Sequence, residues 1–135
     1  MTKKSFSGVV SSFKSDAIAA CGDTRKAATI ELFKSVILDT PVDEGRLKGN
    51  WQATTDNPAS GQLDIYDGNG GGTVALAVKA VNQSNDDQTL YLTNNLPYAL
   101  AIEYGHSDQA PKGMVRRNMA RISSLIRKAV KENKI

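Results

Sequence analysis

The chain has 135 residues, room for one hydrophobic core and little more. Apolar residues make up 40% and charged residues 23%, an ordinary soluble composition that argues against disorder and against a collagen-like repeat. No run of 18 apolar residues exists, and no unbroken apolar stretch follows the basic start Met1-Thr2-Lys3-Lys4. Neither a membrane-spanning helix nor a secretory signal is therefore expected. The single cysteine, Cys21, cannot form an internal disulfide, which fits a reducing cytoplasm and excludes a cysteine-zinc fold.

The net charge of +3 hides a polar distribution. Residues 1–50 balance at +2, residues 51–111 at −6, and residues 112–135 at +7. An acidic middle and a basic tail suit head-to-tail contact between copies, or contact with nucleic acid. The alternative is a tail that folds back and satisfies the acidic region within one chain.

In chain order, residues 1–5 read as a flexible arm. Phe6, Val9, Val10, Phe13, Ala17 and Cys21 then recur at helical spacing. Cys21 on that stripe reads as a small core residue rather than a reactive thiol. Gly22-Asp23 is a soft break that either ends this helix or bends it. Asp23 or Thr24 is suited to cap a second run, with Ala27, Ile30, Phe33, Ile37 and Leu38 on its apolar face. Pro41 stops that run, and residues 41–45 form a turn.

A strand is predicted around Trp51, followed by a loop over residues 56–61. Residues 67–72, rich in glycine, read as a flexible surface loop. Thr73 is placed to cap a helix with Val74, Ala77, Val78 and Val81 on one side. Val74, Leu76 and Val78 also alternate, but the alanine content favours helix. Residues 89–93 are the clearest strand in the chain. Residues 97–104 read as a short helix that Gly105 ends, residues 106–113 as a loop, and residues 114–133 as a final helix. Val115, Met119, Ile122, Ile126 and Val130 form its apolar stripe. Arg116, Arg117, Arg121, Arg127, Lys128 and Lys131 cover its other faces.

Catalytic chemistry is poorly represented. His106-Ser107-Asp108 holds the three triad residue types, but consecutive side chains cannot adopt the triad geometry. The glycine loop lacks both the dinucleotide fingerprint and the phosphate-loop lysine. The carboxylate pairs Asp64/Asp67 and Asp86/Asp87 lack calcium-loop spacing and read as solvated turn acids. No catalytic residue, cofactor or metal ligand is assigned.

Two segments are more distinctive. The first runs Thr40-Pro41-Val42-Asp43-Glu44-Gly45-Arg46-Leu47-Lys48-Gly49-Asn50-Trp51. The second runs from Tyr91 through Asn94-Asn95-Leu96-Pro97-Tyr98-Ala99 to Ile102-Glu103-Tyr104-Gly105, and resumes at Gln109-Ala110-Pro111-Lys112-Gly113-Met114-Val115. In order and spacing they resemble the neck and tail-completion proteins of tailed bacteriophages, the HK97 gp10-like family. The likeness covers most of residues 24–130, and Glu44 stands where that family often has threonine.

The resemblance implies an α+β fold, a small antiparallel sheet packed with N-terminal and C-terminal helices in one domain. It implies a non-enzymatic virion component, a homo-oligomeric ring at the head–tail junction, assembled in the host cytoplasm. Its partners would be connector- or portal-side and tail-side proteins, close to DNA and away from any membrane.

Within the blocks, Pro41, Asp43, Gly45, Trp51, Asn94, Asn95, Pro97 and Gly105 are read as structural. Trp51 anchors the strand, and Asn94 and Asn95 bond their own backbone to hold a turn. Tyr98, Glu103, Tyr104, His106, Arg116, Arg117 and Arg121 are the candidate interaction residues. The competing readings are a DNA-binding module using the basic C-terminal helix, and a small hydrolase or nuclease using the acidic middle.

Overall fold

The computed structural model describes residues 6–42, 44–105 and 112–132. Asp43, His106, the N-terminal arm and most of the loop after Gly105 lie outside the described residues. The architecture is α+β. A long helix, α1 (Phe6–Leu38), is followed by a single turn, α2 (Arg46–Gly49), and a strand, β1 (Gln52–Thr55). Helix α3 (Gly71–Gln83), strand β2 (Leu90–Thr93) and three helices, α4 (Ala99–Glu103), α5 (Val115–Met119) and α6 (Ile122–Glu132), complete the chain.

α1 is the spine. It runs unbroken through Gly22 and Asp23, so neither residue ends a helix. Glycine inside a helix costs roughly 1 kcal/mol relative to alanine, too little to break a long helix pinned from outside. The pinning is visible. Arg25 donates to the carbonyls of Asn85 and Gln88, Lys26 to that of Asn82, and the Asp86 carboxylate lies against Gly22. Cys21 is exposed, contrary to its expected place in the core. Phe33, Val36 and Ile37 are buried, whereas Leu38 is half-exposed at the end of the helix.

α3 and α6 both pack on α1. α3 buries Ala77 and Val81 and turns Leu76 to solvent, which is a helical pattern and not the alternation of a strand. It begins earlier than expected. Gly71 and Gly72 form its first turn and Gly70 is buried, so the surface loop is shorter than residues 67–72. Its N-cap residue is Gly70, and the carboxylate that covers its first turn is that of Asp67, with Thr73 a donor to it rather than the cap. The Asp67 carboxylate accepts from Thr73 N (2.9 Å), Thr73 Oγ1 (2.8 Å) and Gly70 N (3.1 Å). The bond from Thr73 N leads these in holding the Asp67 pKa below its ordinary value, against the opposing effect of burial.

β1 and β2 pair antiparallel, from Gln52 opposite Thr93 to Thr55 opposite Leu90. Asp56 N extends the ladder to Thr89 O at 2.7 Å. The core joins Val36, Ile37, Leu47, Trp51, Ala77, Leu96 and Met114, so it gathers apolar residues from both distinctive segments.

The final helix is two helices. Asn118 is fully buried and its Nδ2 donates to Met114 O at 2.7 Å, and the bonds at Arg121 and Ser124 reach back three residues instead of four. A side-chain amide competing for helix carbonyls, with three-residue turns beside it, breaks the ladder at Ala120–Arg121. The expected stripe is largely uncovered: Val115, Met119, Ile126 and Val130 are exposed, and Ile122 is half-buried. Among the described residues no helix is long and apolar enough to cross a membrane.

Candidate docking surface

The two distinctive segments meet at Trp51. Pro41 follows the end of α1, and Gly45, at φ +80°, reverses the chain. The Gly45 carbonyl accepts from Gly49 N and from Asp67 N, both at 2.9 Å. A Cβ there would sit 2.7 Å from Gly68 N, so both the conformation and the close approach require glycine. The turn delivers Trp51 to the core, where Nε1 donates to Thr40 Oγ1 (2.8 Å) and that hydroxyl donates to Val36 O (2.8 Å). The polar edge of the indole is thereby satisfied inside an apolar site.

Asparagines stitch the rest. Asn50, fully buried, donates to Arg46 O and accepts from Leu63 N, both at 2.7 Å. Asn94 accepts from Leu96 N (3.2 Å) as the turn chemistry requires, and also donates to Leu47 O (2.8 Å), joining the segments. Asn95 does not bond its own turn. Its amide donates to Ala59 O and Gly61 O, both at 2.9 Å, and holds the preceding loop.

Above this clamp lies an apolar groove of about 290 Å³, floored by Trp51, Leu96 and Met114 and walled by Ala99, Leu100 and Val115. A cleft of about 150 Å³ shares Trp51 and Val115 with it and reaches Leu32, Phe33, Leu92 and Met119. Leu100 is 65% exposed. A third cavity, between β1 and α3, is lined by Ala, Thr and Gln side chains and carries no ionisable group.

Glu103 sits at the groove wall. Its carboxylate accepts from Met114 N and Val115 N (both 2.7 Å), Arg116 N (3.0 Å) and Arg116 Nε (3.0 Å). The Arg116 guanidinium also donates to the Glu103 carbonyl. Burial pushes the Glu103 pKa up. The backbone bonds from Arg116, Val115 and Met114, with the Arg116 side chain, outweigh it and hold the group below its ordinary value. Gly113, at φ +81°, leaves no room for a Cβ beside the Glu103 carbonyl and carboxylate.

Glu103 is thus committed inside the chain, although the sequence reading put it among the outward contacts. Arg116 is committed with it and lies 4.9 Å above the Tyr104 ring. Tyr98 and Tyr104 are exposed. Arg117 and Arg121 are exposed and share one anion, Asp39, at 3.8 Å and 3.6 Å. Asn118 also donates to Asp39 at 3.0 Å. The basic tail therefore does fold back, but two of its three anions among the described residues, Asp39 and Glu31, come from α1 instead of the acidic middle. Neither Asp39 nor the capping role of Glu103 carried a sequence signal, because each partner lies far along the chain.

Among the described residues no cluster of His, Cys, Asp and Glu could hold a metal ion. No protein-family profile, curated protein or solved structure matches the chain.

Proposed function

We propose that this chain is a structural virion protein of a bacteriophage head–tail junction, a neck or tail-completion ring subunit that works by self-association and docking. The observation that carries the reading is the apolar groove over Trp51. Both segments that resemble the phage family build it, Trp51 from the first and the rest of its lining from the second. A groove with exposed apolar walls and no reactive group at its floor suits protein contact better than chemistry.

Immunogold labelling of virions tests it, together with particles produced without this gene product. Labelling at the junction, and filled heads that fail to carry tails, are the expected results. Complete virions without the protein would overturn the reading. The pair Arg117→Glu/Arg121→Glu should weaken assembly, whereas adding Arg116→Glu would confuse docking with loss of the Glu103 cap.

A second reading, a DNA-binding module, draws on Arg127 and Lys131, which make no ion pair among the described residues. It requires a gel shift that weakens steeply with salt.

A further inference from the structure

We propose that β2 pairs edge to edge with β2 of a second copy of the chain, antiparallel, on a two-fold axis through Tyr91. The contact is independent of the ring reading. A two-fold contact is self-complementary and closes as a dimer, whereas a ring needs head-to-tail contacts.

The open edge follows from the register. Asp56 N donates to Thr89 O, so in the alternation of an antiparallel ladder Thr54 with Tyr91 and Gln52 with Thr93 are the hydrogen-bonded pairs. Leu90 and Leu92 fall between them, and their N–H and C=O groups point away from β1. None of these four groups has a partner among the described residues. The two edges of the sheet differ. α3 packs against β1, and no helix packs along β2 in the same way. Exposed edges are commonly guarded by a charge, a proline or a bulge. Residues 88–96 hold no charged residue, no proline and no glycine, and the register runs unshifted through β2.

The sequence selects the occupant. Thr89-Leu90-Tyr91-Leu92-Thr93 reads the same in both directions. An antiparallel copy centred on Tyr91 therefore sets Leu90 against the partner's Leu92, Thr89 against the partner's Thr93 and Tyr91 against the partner's Tyr91. The leucine pairs become the hydrogen-bonded ones, so all four open groups of each copy are used. Tyr91 falls at a non-bonded pair, where side chains approach most closely. Aromatic and threonine pairs are favourable across strands, and no like charges meet. Moving the axis to Leu92 would set Tyr91 against a threonine and Leu90 against an asparagine. The face beneath agrees. Leu92 packs on the core and lines the cleft of about 150 Å³ with Phe33, Val115 and Met119, and that cleft takes no residue from β1. It lies on the open side of the sheet, where the partner's Leu90, opposite Leu92, brings an apolar side chain.

Tyr91→Lys and Tyr91→Glu in the full chain test the axis, because only there does residue 91 meet its own copy. Sedimentation should show the wild type dimerising, and each variant alone dimerising at least about ten-fold more weakly, since like charges then stand directly opposite. Mixed, the two variants bring opposite charges together and should recover as a heterodimer. Circular dichroism checks the fold of each. Should either fail to fold, Cys21→Ser/Tyr91→Cys decides: oxidation should link two copies faster than in Cys21→Ser/Leu76→Cys, a control at an exposed site on α3. A wild type monomeric at every concentration, charge variants that dimerise like the wild type, a mixture that does not recover, or a Tyr91→Cys chain that links no faster than the control would each overturn the pairing. Junction labelling in virions is a separate readout, so the ring reading stands or falls without this contact.

Discussion

The Trp51 clamp and the α5–α6 arm lie side by side, yet they are finished to different degrees. In the clamp most polar atoms are used inside the chain, Trp51 Nε1 on Thr40, Asn50 on Arg46 and Leu63, Asn94 on Leu47 and Leu96, although Arg46 Nε is buried without a partner. In the arm, Asn118 Oδ1 is buried without a partner, and Met119, Ile126 and Val130 stand about half-exposed. Exposed ion pairs hold the arm along α1. The clamp is a core that one chain completes. The arm is a surface whose apolar side one chain leaves open, the condition expected of an element that meets a partner.

The sharpest way to break this contrast is Trp51→Ala. It removes a large buried side chain, 8% exposed, and strands the Thr40 hydroxyl. Urea denaturation should show a loss of about 3–5 kcal/mol. A loss under about 1 kcal/mol, the level of a surface substitution, would mean that the two segments do not share a core.

A middle-sized effect is expected at the hinge between the regions. Glu103→Gln removes the negative charge that collects three backbone N–H groups and Arg116, and should cost about 1–3 kcal/mol. Amide exchange should rise in α5 first and leave the centre of α1 protected. The pH dependence has a definite sign. Because the folded-state pKa lies below the ordinary value of 4.5, the stabilisation is complete above that pH and is lost as pH falls through the lowered value. The Gln variant should have a flatter acid limb. An unchanged acid limb would show that the cap does not couple to folding.

Legibility from sequence follows the same divide. The helix ending before Pro41, the reversal at Gly45, the burial of Trp51, the strand at residues 90–93 and the stop at Gly105 depend on neighbours a few residues away, and periodicity and turn chemistry reveal them. What escaped depends on distant partners. Gly22 continues a helix because the loop around Asp86 braces it. The last helix breaks at Ala120 because Asn118 is drawn in toward Asp39 and Met114. Glu103 turns inward because Gly113 lets the start of α5 close over it. The stripe over residues 115–130 has helical spacing, but spacing alone does not say whether a chain covers the stripe itself. Of the candidate contacts, the tyrosines and Arg117 and Arg121 remain available at the surface, and Glu103 does not.

The smallest stability effect belongs to the arm, and there stability and assembly should separate. Arg117 and Arg121 lie 3.8 Å and 3.6 Å from one Asp39 oxygen, with side chains 41% and 47% exposed. Exposed pairs of this kind contribute about 0–1 kcal/mol, and added salt screens them. Either arginine alone replaced by Gln should therefore barely move the denaturation midpoint, since the other still faces Asp39. Self-association should respond more, because the exposed surface of α5 and the turn after it loses a cation while Asp39 stays neutralised by the arginine that remains. Raised salt should reproduce that effect on the wild type. If a single Gln variant instead lowered stability by several kcal/mol and left association untouched, the arm would be a second core, and the contrast with the clamp would be gone.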